Sequence, residues 1–314
     1  MIQATVIIAA WNSEDSLCAS VESALAQTEV SLEVIVVDDC STDKTLIVAR
    51  DLALAHPQVR VLSQQRNGGP AVARNAALAE AKGEWVAVLD ADDTFVSGRL
   101  AAMIDFADSV DADIVCDGIM TRDAANDFHQ TATLAFAGDP QNDNWTVAEY
   151  IAGNMHGTPG LSLGYLKPVI RRSFITKHTL RYDENLRNGE DFHFILDALT
   201  NGAAIRFRAE PGYVYSVGHE SISRRLNADH ATALARADLA FAARHAEDLD
   251  PHCIAMMQKR AQSTLDLSSA EQALAALRDR RPLRAARVLW RRPRATGRFL
   301  RQLAQAVTNR LRRR

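Results

Sequence analysis

Short, nearly continuous runs of β-branched and aliphatic residues punctuate the first ninety positions of this chain: Thr5–Ala10, Leu32–Val37, Val59–Leu62 and Trp85–Leu89. Runs of that length with almost no polar interruption predict strands buried on both faces. Between them, stretches 14–27, 42–55 and 70–82 carry apolar residues at helical spacing. The second opens on Ser41-Thr42-Asp43, a candidate cap for Thr45 onward. Strands alternating with helices of this length predict an α/β fold around a mostly parallel sheet. Such sheets bind ligands beyond the carboxyl ends of their strands, near a topological switch point.

From about residue 98 the pattern becomes mixed. It predicts a helix over Arg99–Ser109, strands at Ile114–Cys116 and Leu166–Ile170, a polar irregular stretch from Thr121 to Asn144, and a helix over Asp191–Thr200 ended by Asn201-Gly202. Two short strands, Ile205–Arg208 and Tyr213–Val217, come next. Beyond about 227 the chain is alanine-rich and helical, with Pro251 separating two helices.

The polar residues at the strand ends bring in chemistry. Asp38-Asp39 follows the second strand and Asp90-Ala91-Asp92-Asp93 follows the fourth, so both acidic groups fall at one edge of the same sheet. Either alone reads equally well as helix capping or solvated turn acids. Together they repel one another unless a cation neutralises them. A hard divalent cation, Mg²⁺ or Mn²⁺, completed by phosphate oxygens, suits that need. Asn67-Gly68-Gly69 is a turn into a helix at Pro70, where glycines admit a ligand close to the backbone and a helix N-terminus favours anions.

In order and spacing, five segments resemble the GT-A-fold family 2 glycosyltransferases, in particular bacterial exopolysaccharide (succinoglycan-type) glucosyltransferases. They are Val6–Asn12, Val36–Asp43, Asn67–Asn75, Leu89–Asp93 and Asn188–Asp191, and the likeness runs over about residues 2–225. The opening departs from the family's Pro-x-Tyr-Asn, with Ala9-Ala10-Trp11-Asn12 in its place.

The resemblance implies an inverting, metal-dependent enzyme that moves a hexose, glucose first, from a UDP-sugar to a hydroxyl of a glycan or lipid-linked oligosaccharide in exopolysaccharide biosynthesis. It implies a Rossmann-like domain over 1–225, with a nucleotide-binding half at 1–97 and an acceptor-binding half at 98–225. A helical extension at 226–277 and an arginine-rich tail at 278–314 complete the chain's organisation. Ala9, Trp11 and Asp39 would line the base and ribose, with Asn67 and Gly68 beside them. Asp90 and Asp92 would form the DxD motif, Asp90 near the ribose and Asp92 on the metal. Asp93 is either a further site carboxylate or the N-cap of the segment after it. Arg74 would be a donor-site cation, its alternative a helix-surface arginine.

Asp191 would be the general base and Glu190 an acceptor contact; their alternative is capping of a helix dipole. One base without a second nucleophilic carboxylate fits a single displacement with inversion. His219 would touch the diphosphate and His156 the acceptor, against a surface or packing role for each.

Composition adds two points. The cysteines Cys18, Cys40, Cys116 and Cys253 have neither disulfide nor zinc spacing, and Ile2–Ala10 lacks the flanks of a signal peptide. Both predict a cytoplasmic protein. The formal charge of −3 hides an asymmetry: residues 278–314 hold fourteen arginines and one acid, a balance of +13, which leaves −16 on the rest. Apolar residues recur among these arginines (Leu283, Trp290, Phe299 and Leu300 among them), predicting a basic amphipathic segment at an anionic membrane surface. Docking on the acidic body and nucleic-acid binding are the other readings of the tail. For the whole chain the alternatives are a nucleotidyltransferase, which would want a glycine-rich basic loop where Ala9–Ser13 stands, and a nucleic-acid-binding protein, which the acidic body disfavours.

Overall fold

A computed structural model describes residues 2–122, 128–130, 144–158, 162–216 and 227–312. The chain divides into two units, Met1–Ser221 and Ile222–Arg314.

Among the described residues the first unit is built on one nine-stranded sheet. Its strands are β1 (Ala4–Ala10), β2 (Leu32–Asp38), β3 (Val59–Ser63), β4 (Trp85–Asp90), β5 (Thr94–Phe95), β6 (Ile114–Arg122), β7 (Phe128–Gln130), β8 (Val169–Arg171) and β9 (Ile205–Ser216). They lie in the order β3-β2-β1-β4-β8-β6-β9-β5, with β7 paired to β6. The pairs β1–β2, β1–β4, β2–β3 and β6–β9 are parallel, while β8 runs antiparallel between β4 and β6. This is the mostly parallel α/β sheet that the alternation of elements predicts.

The helices of this unit are α1 (Leu17–Leu25), α2 (Thr45–Ala55), α3 (Pro70–Glu80), α4 (Arg99–Ser109), α5 (Val147–Gly153), α6 (Arg172–His178) and α7 (Glu190–Thr200). The central strands are buried at most apolar positions, Val6, Ile7, Ile8, Val34, Ile35, Val36, Val86 and Val88 among them. Register then fixes the functional edge: Ala9 sits between Val37 of β2 and Asp90 of β4, and Ala10 faces Asp38.

Three local differences from the expected elements have physical causes. β6 extends to Arg122 because Asp117, which reads as a strand end, is buried and neutralised by Arg99 (Nε–Oδ2 2.8 Å, Nη2–Oδ1 2.7 Å). β9 is one strand rather than two: Glu210-Pro211-Gly212 is absorbed by register shifts at Asp117–Ile119 of β6. β8 starts only at Val169, since Pro168 has no N–H for a ladder. At α2 the helix begins after Lys44, and Asp43 Oδ1 accepts from Thr45 N (2.9 Å) and Thr45 Oγ1 (2.6 Å).

The second unit consists of α8 (Ala228–Arg244), α9 (Pro251–Arg278), α10 (Pro282–Arg291) and α11 (Thr296–Arg312). Ala270, Ala273 and Ala276 on α9 admit Ala285 and Phe299 closely, with Val288, Leu289 and Leu303 packed alongside. Asp238 of α8 and Arg260 of α9 form a buried ion pair. No described helix is long and apolar enough to cross a membrane.

Candidate functional site

The turn before α3 is held by the end of β2. Both Asp39 oxygens accept from backbone, Oδ1 from Gly68 N and Oδ2 from Gly69 N, each at 2.7 Å. Asn67 Nδ2 donates to the Asp39 carbonyl (3.2 Å), and Asp39 N donates to Ala10 O (2.8 Å). From the far side Arg187 donates to the Asn67 carbonyl (2.9 Å) and to its side-chain oxygen. Gly69 has φ +89°, and a Cβ there would lie 2.6 Å from Arg187 Cδ, so glycine is required at this position. Half-buried Ala9 and Trp11, 43% exposed, stand beside this turn at the end of β1. Asp38 is buried, and its Oδ1 has no hydrogen-bond partner among the described residues.

Beneath the edge lies a closed ring of charges. Arg74 on α3 is 5% exposed. It donates through Nη2 to Asp90 Oδ1 and through Nη1 to Asp191 Oδ1, each at 2.8 Å. Lys167 Nζ completes the ring, 2.8 Å from Asp90 Oδ2 and 3.0 Å from Asp191 Oδ2. Buried Glu190 joins from outside, its Oε1 2.8 Å from Arg74 Nη1. Gly189 at φ +80° turns the chain into α7 and so brings both acids to Arg74.

The ring explains the proton affinities. Burial works to raise Asp90, but Lys167 and then Arg74 overcome it and hold the carboxyl well below the usual carboxylate range. Burial would likewise discharge Lys167, yet Asp191 and Asp90 keep its ammonium well above the ordinary lysine value. Glu190 goes the other way: burial and the neighbouring Asp191 charge raise it. Two cations thus meet three carboxylates, and burial disfavours the charged form of Glu190.

The two remaining acids of the fourth-strand cluster differ sharply. Asp93 is buried, with Tyr213 Oη donating to Oδ2 (2.7 Å) and Ser216 N to Oδ1 (2.8 Å). Tyr213 Oη in turn accepts from Asp90 N (3.1 Å). Asp93 therefore fastens β9 to the acidic turn rather than capping a helix. Asp92 is exposed, accepts no hydrogen bond from another described residue, and opens on a cavity of about 250 Å³ shared with Asp15, Ser16, Ser20, Thr94 and Arg122. Partial desolvation and the charge of Asp90 raise its carboxyl, so a nearby cation is favoured.

A divalent ion fits this donor set. Asp90 and Asp93 have their oxygens committed within the chain, and no group of three or more His, Cys, Asp or Glu among the described residues could hold a metal. Asp92 is the carboxylate of this cluster left uncommitted, beside Asp15 in the same cavity, and a Mg²⁺ or Mn²⁺ ion with phosphates and water completing its shell would need no more than one or two such ligands.

Of the other expected residues, His156 is half-buried in the turn after α5, and His219 lies outside the described residues. Sequence reasoning missed Lys167, Arg187 and Tyr213. Lys167 had a signal, being a lysine within an apolar run read as a strand.

The family model for glycosyl transferase family 2 matches residues 5–161. The chain is 39% identical to the succinoglycan biosynthesis protein ExoO of Rhizobium meliloti (strain 1021) over 246 residues, 78% of this chain and 69% of that one. Among solved structures it resembles S. aureus TarS 1–349 in complex with UDP-GlcNAc, with a TM-score of 0.61 and 22% identity over 85% of this chain and 71% of the other. It also resembles the mannosyltransferase PcManGT from Pyrobaculum calidifontis in complex with GDP-Man and Mn²⁺, with a TM-score of 0.58 and 18% identity over 97% and 80%. At those identities the structural likenesses establish the fold, which is of the GT-A type.

Proposed function

Because the chain belongs to glycosyl transferase family 2, we propose that it is an inverting hexosyltransferase that takes glucose from UDP-glucose and uses Asp191 as its base. The observation that carries this reading is the ring itself. It fixes Asp191 against the acidic turn through two cations shared with Asp90, while leaving Asp92 free.

Each Asp191 oxygen accepts one cation bond and keeps a second lone pair. That lone pair takes the proton of the acceptor hydroxyl as it attacks the anomeric carbon. Lys167 and Arg74 hold the base in position, each bonding Asp191 and Asp90, and Arg74 is also the donor-site cation that the family resemblance implies. Asp39 holds the Asn67-Gly68 turn against the nucleotide, with Ala9 and Trp11 lining the base and Asp90 directed to the ribose. Glu190 and His156 are assigned to the acceptor and His219, outside the described residues, to the diphosphate, as the family resemblance implies. Asp92 would hold Mg²⁺ or Mn²⁺, which when bound supplies Lewis-acid stabilisation of the departing UDP.

The acceptor is a hydroxyl of a glycan or lipid-linked oligosaccharide in exopolysaccharide synthesis, supported by the name of the succinoglycan relative. That chemistry puts the enzyme at the cytoplasmic face of the membrane, as a peripheral protein.

Inversion is read without knowing the acceptor, from slow hydrolysis of the donor by water. Proton NMR of the sugar released from UDP-α-glucose, taken before mutarotation, should show the β anomer first. Initial release of the α anomer refutes the single displacement.

A further inference from the structure

We propose that the outward face of α10, continued by Leu300 and Arg301 of α11, docks on an anionic lipid bilayer. The apolar residues of these helices form two separate sets. Ala285, Val288, Leu289, Phe299 and Leu303 pack with α9 in the core of the second unit. Leu283, Trp290 and Leu300 remain in solvent, at 86%, 82% and 55% exposure. On α10, Leu283, Ala286, Arg287 and Trp290 stand at i, i+3, i+4 and i+7 and so share one face, opposite the face buried on α9.

The arginines divide the same way. Arg292 bonds Asp266, and Arg298 donates to the Ser263 carbonyl (3.3 Å), so both serve the packing on α9. Arg284, Arg287, Arg291, Arg294 and Arg301 are exposed and pair with no carboxylate among the described residues.

The face of α10 therefore presents a tryptophan and a leucine to water, and α11 adds exposed Leu300, among guanidinium groups unpaired with any carboxylate of the described residues. Its partner must be anionic at the surface and apolar just below. A nucleic acid satisfies the arginines but offers nothing to Leu283. A bilayer of anionic lipids supplies both, with head-group phosphates for the guanidinium groups and an interface at which tryptophan is favoured. The balance of +13 over residues 278–314 supplies the attraction. The helices are charged throughout, so they lie in the plane of the interface rather than crossing it.

The inference goes beyond the transferase reading and holds for any donor, because vesicle binding and UDP release are measured separately. The full chain is sedimented with vesicles of phosphatidylglycerol and phosphatidylcholine, and with phosphatidylcholine alone, while tryptophan emission is followed. Trp85 and Trp145 are buried, so a blue shift reports the exposed indoles, and Trp290→Phe assigns it. The expected result is binding at least tenfold tighter to the anionic vesicles, with a blue shift absent in Trp290→Phe. The Leu283→Ser/Trp290→Ser variant, which keeps every arginine, should lose at least tenfold in affinity with UDP release in solution unchanged. Arg287→Gln/Arg291→Gln should also weaken binding. Equal affinity for both vesicles, undiminished binding by the Leu283→Ser/Trp290→Ser variant, or binding to a DNA duplex with none to vesicles overturns the proposal.

Discussion

Lys167→Met tests the charge ring at its least redundant member. The lysine side chain is 7% exposed, and it makes the only second cation contact to Asp90 (24%) and Asp191 (20%) among the described residues. Removing one partner of a buried ion pair costs about 3–5 kcal/mol, because the other charge is left desolvated. Both carboxylates keep Arg74 and reach the solvent edge, which points to the lower end, about 3 kcal/mol. For a unit of this size that corresponds to a fall in melting temperature of roughly 6–12 °C.

The loss depends on pH with a defined sign. Asp90 has its folded pKa below the unfolded value, so its contribution is complete above about pH 4 and disappears as pH falls through the folded value. The gap between wild type and Lys167→Met should be widest at neutral pH and close in acid. Asp191, freed on one side, should also shift; misplacing a reacting group by about 1 Å costs on the order of 100-fold. We therefore expect kcat for UDP release to drop by about that factor, with a smaller change in KM for the donor. Glu190→Gln added to Lys167→Met removes a carboxylate whose ionisation burial opposes and should recover part of the stability. Thermal unfolding followed by circular dichroism, paired with steady-state kinetics, reads all of this. Wild-type melting and kcat within twofold in Lys167→Met refutes the ring as a positioning device.

Gly69→Ala forces a Cβ into Arg187 at a glycine-only backbone conformation; we expect a loss of about 1–3 kcal/mol in urea unfolding together with a raised donor KM. Asp39→Asn turns an amide donor toward one of two glycine N–H groups, and leaving such a buried donor unpaired costs about 1–3 kcal/mol. Isothermal titration with UDP should show binding weakened by tenfold or more, and unchanged affinity contradicts the role given to the turn. Asp93→Asn should lower thermal stability by cutting β9 from the acidic turn, while metal dependence persists.

The parallel half of the sheet was legible because β1, β2 and β4 are largely buried and so carry nearly continuous apolar runs, while edge strand β3, with only Val59 buried, showed as a short β-branched run. Asp39, Asp90 and Asp92 stood out because two acidic groups at one sheet edge repel one another without a cation, whereas Asp191, an ordinary acid for a helix start, stood out through the family resemblance alone. β6 and β9 were harder to read. Asp117 and Pro211-Gly212 look like breaks, and only the Arg99 partner and a register shift, neither local in sequence, let the strands continue. Lys167 escaped for the same reason, since its partners lie 77 residues before it and 24 after it. Asp92 and Asp93 are neighbours of one type, and which is free depends on Tyr213 and Ser216, more than a hundred residues away.

The most direct test of the account is UDP release from a panel of UDP-sugars with Mn²⁺, Mg²⁺ or EDTA, comparing wild type with Asp92→Ala and Asp191→Asn. Metal-dependent release from UDP-glucose, abolished by EDTA, is the expected result. Asp92→Ala should lose the response to metal, and Asp191→Asn should lose turnover while still binding UDP. Release that ignores metal, or that survives in Asp191→Asn, contradicts it.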